Sequence, residues 1–223
     1  MNVALIPLRG GSKSIPRKNI KEIAGKPLCQ WVIEASASAE VIDQVYVSTD
    51  SDEIAEVVNN MELGVTVMRR PLQLASDEAT TESVMMDFMG RVDFDTLVTI
   101  QATSPLLRGD DINAAFSLFE RECYDSLLTA VRTKRFFWND DGTPINYDPL
   151  CRPRRQEFPG TLMENGALYL TRKHVLVEHR CRLGGRIGVY EMSEETAAEI
   201  DEPQDWFRVE RFLVDRQANR RNI

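Results

Sequence analysis

The chain has 223 residues, 43% of them hydrophobic and 28% charged, with a net charge of −8. That length supports one good hydrophobic core, burying roughly 70–75% of the unfolded chain's surface, whereas two full domains would be tight. The composition excludes fibrous and disordered classes, and the acidic balance argues against a nucleic-acid surface, which shows as a basic excess.

The first apolar run, Asn2–Leu8 (NVALIPL), ends in a basic glycine loop and reads as a buried strand feeding a functional turn. Pro27 opens an amphipathic helix with Leu28, Trp31, Val32 and Ala35 on one face. Gln44–Ser48 is the next strand, Ser51 an N-cap, and the stretch to Asn60 a helix stopped by Gly64. Val65–Met68 is a third strand. Thr80–Arg91 reads as a helix, Thr96–Gln101 as a strand, Asp110–Arg121 as a helix and Ser126–Val131 as a strand. Residues 132–165 break the pattern: aromatics, prolines and arginines without helical periodicity predict an inserted hairpin or arm. Asn165–Thr171 is a strand again, Arg172–Glu178 a short helix, Ile187–Glu191 a strand and Pro203–Gln217 a final helix. Strands alternating with helices predict an α/β fold, a doubly wound and mostly parallel sheet covered on both faces. Residues 1–223 form one domain in this reading, with 132–182 as an excursion. Ligands of such sheets sit outside the carboxyl ends of the strands, where Arg9, Asp50, Arg70 and Gln101–Pro105 all fall.

Cys29, Cys123, Cys151 and Cys181 form no CxxC pair, and with only two histidines a zinc site is not expected. Charge between Arg9 and Lys21 leaves no room for the apolar run of a signal peptide, and no stretch reaches the ~18–20 apolar residues of a membrane span. A soluble cytoplasmic protein with reduced thiols is expected.

The loop after the first strand reads Arg9-Gly10-Gly11-Ser12-Lys13-Ser14-Ile15-Pro16-Arg17-Lys18-Asn19. Glycines let backbone amides approach a phosphate, and the cations add charge for a triphosphate. Neither GxxxxGK[ST] nor GxGxxG is present, which disfavours a P-loop ATPase or a dinucleotide oxidoreductase. The loop resembles the N-terminal signature of acylneuraminate cytidylyltransferases, the CMP-sialic acid synthetases. The resemblance continues through Val47-Ser48-Thr49-Asp50, Arg70-Pro71 with Ala75-Ser76-Asp77, Gln101-Ala102-Thr103-Ser104-Pro105, Arg152-Pro153-Arg154-Arg155-Gln156, Glu164-Asn165-Gly166-Ala167-Leu168-Tyr169 and Ile200-Asp201 with Asp205-Trp206. The forms of the Gln101 and Arg152 motifs are similar to those of the animal-type branch.

The resemblance implies a Rossmann-like nucleotidyltransferase that joins CTP to a 2-keto sugar acid and releases pyrophosphate. It implies nucleotide contacts from Arg9, Gly10, Gly11, Ser12, Lys13, Lys18, Asn19, Arg70 and Thr81, the last where a serine is common. For the sugar acid it implies Gln101, Ser104, Asn165, Tyr169 and Arg155, with Arg154 as the alternative guanidinium for the carboxylate. Mg²⁺, or Mn²⁺ in its place, is implied at Asp201 and Glu199. Alternation on a strand would put both carboxylates on one face; Glu199, where the family commonly has Asp, serves as ligand or as base on the sugar hydroxyl. The catalytic set is then Arg9, Lys13, Lys18, Asp201 and Glu199. A homodimer or dimer of dimers is implied, with Phe136-Phe137-Trp138 as an arm anchor or as intrachain core. Asp50 is read as a cap for the next helix, and Asp205 and Trp206 as supports of Asp201 or the start of the last helix. His174 is read as a surface or semi-buried residue, not a base. Two other readings stay open: the same reaction on Kdo or a legionaminic- or pseudaminic-type acid, and a non-catalytic nucleotide-binding module.

Overall fold

A computed structural model describes residues 1–221. Its elements, in chain order, are β1 (Asn2–Pro7), β2 (Glu22–Ile23), β3 (Lys26–Pro27), α1 (Leu28–Ala37), β4 (Gln44–Thr49), α2 (Asp52–Asn59), β5 (Thr66–Arg69), α3 (Thr81–Met89), β6 (Thr96–Ile100), α4 (Gly109–Arg121), β7 (Ser126–Thr133), β8 (Thr161–Arg172), α5 (Lys173–His179), β9 (Ile187–Met192) and α6 (Pro203–Arg221). β2 and β3 pair only with each other; the other seven strands form one sheet in the order β5-β4-β1-β6-β8-β7-β9.

The apolar runs predicted as strands are the ones buried on both faces. Val3 to Ile6 on β1 and all five residues of β6 are buried, as a central strand under two helix layers requires. On one face α1, α2 and α4 pack Cys29, Val32, Ile54, Ile112 and Phe119 against the sheet. On the other, α3 and α5 bring Val84, Met85, Phe88 and Leu176 onto Val3, Leu5 and Leu97. A third cluster lies under α6, where Trp206, Val209 and Leu213 meet Ile15, Leu28, Leu106 and Ile200. This last core carries the segment 198–201 into place against the glycine loop.

Helix starts follow local chemistry. The Ser51 hydroxyl accepts from the Ile54 amide, and the Thr80 hydroxyl from the Ser83 amide, satisfying first-turn donors that have no helical acceptor. Thr80 is therefore the cap, and α3 begins one residue after the predicted start.

Three features depart from the sequence reading. β8 is antiparallel to both β6 and β7, and it begins at Thr161 because Thr133 and Thr161 pair at the base of the excursion. Residues 161–179 consequently belong to the sheet and its helix layer, and the excursion narrows to 134–160. Second, the β7–β8 register breaks: Leu128 faces Tyr169 but Ala130 faces Glu164, so the β8 residues between those partners bulge out around Gly166 at φ +63. Third, 199–201 is not a strand; the Ile200 amide donates to Thr103 at 2.9 Å, and Ile200 itself is fully buried.

The excursion has its own aromatic centre. Phe136 packs on Tyr147 and Phe158 with ring centroids 4.3 and 4.9 Å away, and the Arg152 guanidinium lies 4.5 Å over the Phe136 ring. The aromatic run thus divides: Phe136 is intrachain core, whereas Phe137 and Trp138 stay exposed.

Candidate active site

A crevice of about 290 Å³ opens beyond the carboxyl ends of β1, β5 and β6. Arg9, Gly11, Ser12, Lys18, Asn19, Arg70, Thr81 and Gln101 all line it. The glycine loop is held from several sides. Asn19 donates to the Arg9 carbonyl at 2.9 Å, and the Gly10 amide donates to Asp50 at 2.9 Å. Gly10 is needed for closeness, since a Cβ there would come within 2.9 Å of the Ser51 Cβ. Its amide is committed to Asp50, so Gly11 and Ser12, not Gly10, face the crevice. Lys13 lies outside the lining, pairing with Asp77 at 2.7 Å. Arg9 donates to the other oxygen of the same carboxylate at 2.9 Å.

Asp50 does not cap α2; Ser51 does. Asp50 is the counterion of Arg70, 3.6 Å away, whose side chain is only 4% exposed. Burial lowers the Arg70 pKa, with Asp50 opposing the shift, and among the described residues the Arg70 Nε has no hydrogen-bond partner.

Two carboxylates meet the loop from the C-terminal side. Lys18 donates to the Ile200 carbonyl at 2.9 Å and approaches Asp201 at 3.5 Å. Asp201 is exposed, and its amide, with that of Glu202, donates to Asp205 in the first turn of α6. Glu199 is half-buried. Burial, then the neighbouring Asp201, Glu164 and Asp205, push its pKa up to about 7, with Lys18 opposing. The pair therefore shares one neighbourhood in a coil pinned by Ile200, rather than through strand alternation. A surplus of negative oxygen donors that resists ionisation suits a hard divalent cation. Among the described residues no three metal-ligating side chains converge; Mg²⁺ needs only one or two carboxylates because it keeps waters and phosphate oxygens.

A family model described as Cytidylyltransferase matches residues 3–210. The chain belongs to the cytidylyltransferase family. It is 39% identical over 211 residues to N-acylneuraminate cytidylyltransferase A of Danio rerio, covering 91% of this chain and 48% of that protein. It is 30% identical to post-translational flagellin modification protein B of Campylobacter coli, covering 92% of each. The chain spans about half the length of the first of these relatives. Among solved structures, a CMP:2-keto-3-deoxy-manno-octonic acid synthetase complexed with CTP superposes with a TM-score of 0.73 at 20% identity, over 96% of this chain and 99% of that one. Such a likeness shows the shared fold.

The expected sugar-side residues do not all converge. Gln101 lines the crevice. Ser104 is buried, its hydroxyl without a partner among the described residues. Asn165, 1% exposed, donates its amide to Thr196 and to the Met192 sulfur. Tyr169 is buried with its hydroxyl on Glu164; the Arg182 guanidinium, held by Glu82, lies 4.7 Å over its ring. Arg155 stands in the excursion, lining a separate cavity of about 600 Å³ with Lys134, Arg135, Arg152 and Arg154.

Asp77, Thr103 and Glu164 enter the site without having been assigned a role from sequence. Asp77 and Glu164 lie inside the motifs that carry the family resemblance, which was the available signal. Thr103 acts through its carbonyl, which leaves no mark in a sequence.

Proposed function

We propose that this cytidylyltransferase transfers CMP from CTP to the anomeric hydroxyl of a sialic-acid-type nonulosonic acid, Neu5Ac or Kdn, and releases pyrophosphate. The observation that carries the reading is the convergence of Arg9, Lys18, Asn19, Arg70, Thr81 and Gln101 on one crevice at the strand ends, with Glu199 and Asp201 tied to its loop through Lys18. Similarity to N-acylneuraminate cytidylyltransferases supports the choice of sugar acid.

In this mechanism Arg9 and Lys13 hold the β- and γ-phosphates, and Asn19, Arg70 and Thr81 hold the nucleoside side. The anomeric oxygen bonds to the α-phosphorus as its proton passes to a base, Glu199 or water, while the bond from that phosphorus to the bridging oxygen breaks and pyrophosphate leaves. Lys18 faces the charge that grows on the phosphoryl oxygens, and positioning supplies the rest of the rate gain. Asp201 and Glu199 would hold Mg²⁺, or Mn²⁺. A bound divalent ion supplies charge neutralisation at the phosphates. Glu199→Gln separates the two roles open to Glu199. A raised Mg²⁺ midpoint identifies a ligand, and loss of the pH–rate limb near its pKa of about 7 identifies a base.

Arg155 lies with four other cations outside this chain's own crevice. We assign it to the sugar carboxylate of a neighbouring copy, in a homodimer formed through the excursion. Exposed Trp138, Ile145, Leu150, Leu162 and Met163 are suited to burial in such a contact. Glutamate at Trp138 and Leu162 should yield monomers by light scattering; an intact dimer would remove this interface. A cytoplasmic setting agrees with four free cysteines.

The decisive experiment is pyrophosphate release with CTP and Mg²⁺ across Neu5Ac, Kdn, Kdo, a legionaminic-type acid and a pseudaminic-type acid. Release with a nine-carbon sialic-type acid supports the reading. Release only with Kdo or with the legionaminic- or pseudaminic-type acid moves the substrate. No release with any, while CTP still binds, refutes the enzymatic reading in favour of a binding module.

A further inference from the structure

Asp77 lies on the short loop between a one-turn helix at Leu72–Ala75 and the N-cap of α3. Its two carboxylate oxygens are divided between two cations, one on Arg9 at 2.9 Å and one on Lys13 at 2.7 Å. The hydrogen bond from Lys13, then that from Arg9, holds its pKa below the usual carboxylate range. The carboxylate also lines the crevice, beside Arg70 and Thr81. Phosphate oxygens bound to the same two cations would lie within roughly 5 Å of a full negative charge, an arrangement that like charges oppose.

We infer that Asp77 is a specificity-determining residue that competes with the β- and γ-phosphates for Arg9 and Lys13. The inference rests on the proposed placement of the triphosphate. Ser76, Asp77 and Glu78 are exposed, while the loop is anchored at its ends by the Ala79–Ser76 turn and by Thr80 on the Ser83 amide. The carboxylate can therefore swing away without unfolding α3. A triphosphate or pyrophosphate must displace it, whereas CMP, which ends at the α-phosphate, leaves the contact intact. When pyrophosphate departs, Asp77 re-engages both cations and opposes rebinding.

Titration calorimetry of Asp77→Asn with CTP, pyrophosphate and CMP, each with EDTA and with Mg²⁺, tests this. Removing two exposed ion pairs should tighten CTP and pyrophosphate by roughly threefold to tenfold and leave CMP unchanged. Pyrophosphate should also become a stronger product inhibitor. Glu78→Gln removes the same charge from the same loop and should change nothing. Unchanged or weaker CTP binding overturns the inference, as does equal tightening of CMP or the same gain from Glu78→Gln. Weakening confined to Mg²⁺ also overturns it, and would make Asp77 a metal ligand. Arg9→Ala and Lys13→Ala test the underlying placement: they should weaken CTP more than CMP. If they do not, the triphosphate assignment fails as well; if they do and Asp77→Asn shows no gain, only the competition fails.

Discussion

Arg70 is a nearly sealed cation whose counterion is Asp50, and removing that counterion should be costly. Asp50 and Arg70 side chains are 14% and 4% exposed, with 3.6 Å between charged atoms. At an effective dielectric of about 20 their attraction is roughly 4–5 kcal/mol. Breaking a buried pair by deleting one partner costs about 3–5 kcal/mol, because the survivor stays desolvated. Asp50→Ala also removes the acceptor of the Gly10 amide, but that loop borders solvent and water recovers much of the bond. The expected loss is therefore about 3–5 kcal/mol for Asp50→Ala, and about 2–3 kcal/mol for Asp50→Asn, which keeps an acceptor without the charge. Urea unfolding near neutral pH measures both. In the double variant Asp50→Ala/Arg70→Met the loss should fall short of the sum of the single losses by at least about 1 kcal/mol. A cost below about 1 kcal/mol for Asp50→Ala would refute the argument and show that water or loop movement solvates Arg70.

Other outcomes follow from the same geometry. The Glu199 pKa is raised to about 7 from 4.5, so the folded chain holds this proton more tightly than the unfolded chain. Its stabilising contribution is complete below pH 4.5 and is lost as pH rises through about 7. In EDTA, Glu199→Gln should exceed the parent in unfolding free energy by about 1–2 kcal/mol above that range, after allowance for solvent screening, with no difference at acidic pH; equal profiles would contradict the shift. Gly166→Ala places a side chain at φ +63, with its Cβ 3.1 Å from a Glu199 oxygen. It should lose about 1–2 kcal/mol of stability and lower turnover together, and a neutral result would show that the bulge relaxes freely. Ile200→Ala empties a fully buried position, with an expected loss of about 2–5 kcal/mol in thermal unfolding, and should weaken Lys18's hold on the 199–201 segment.

The strands of the first half were legible because central strands are rich in apolar and β-branched residues, as β1 (NVALIP) and β6 (TLVTI) are, and because Ser51 carries its capping chemistry in its residue type. Periodicity does not say which strands pair, so the antiparallel course of β8 and its start at Thr161 came only from the partner residues on β7. The crevice cations were legible as a motif. Their partners were not: Asp50 and Asp77 are ordinary carboxylates until the fold sets them against Arg70, Arg9 and Lys13. Conversely, Ser104 and Asn165 lie in conspicuous motifs yet are buried, and Asn165 spends its amide on Thr196 and Met192. A polar residue in such a motif serves packing as readily as ligand binding.

The register break on β8 has a consequence for which side of the sheet the excursion presents. Along a regular strand, residues five apart face opposite ways. Tyr169 and Glu164 are five apart, yet their side chains meet, because their partners Leu128 and Ala130 share a face. Odd-numbered residues point to that side above the break and even-numbered ones below it. Straightening the bulge without changing the number of residues would restore simple alternation and exchange the two sides of the strand's outer end. Glu164 and Leu162 would leave the side of Tyr169, and Met163 and Thr161 would take their place. The excursion's orientation is thus set by the bulge at Gly166, whose loss would act as an inversion, whereas a change of length in the loop 134–160 would alter only its reach.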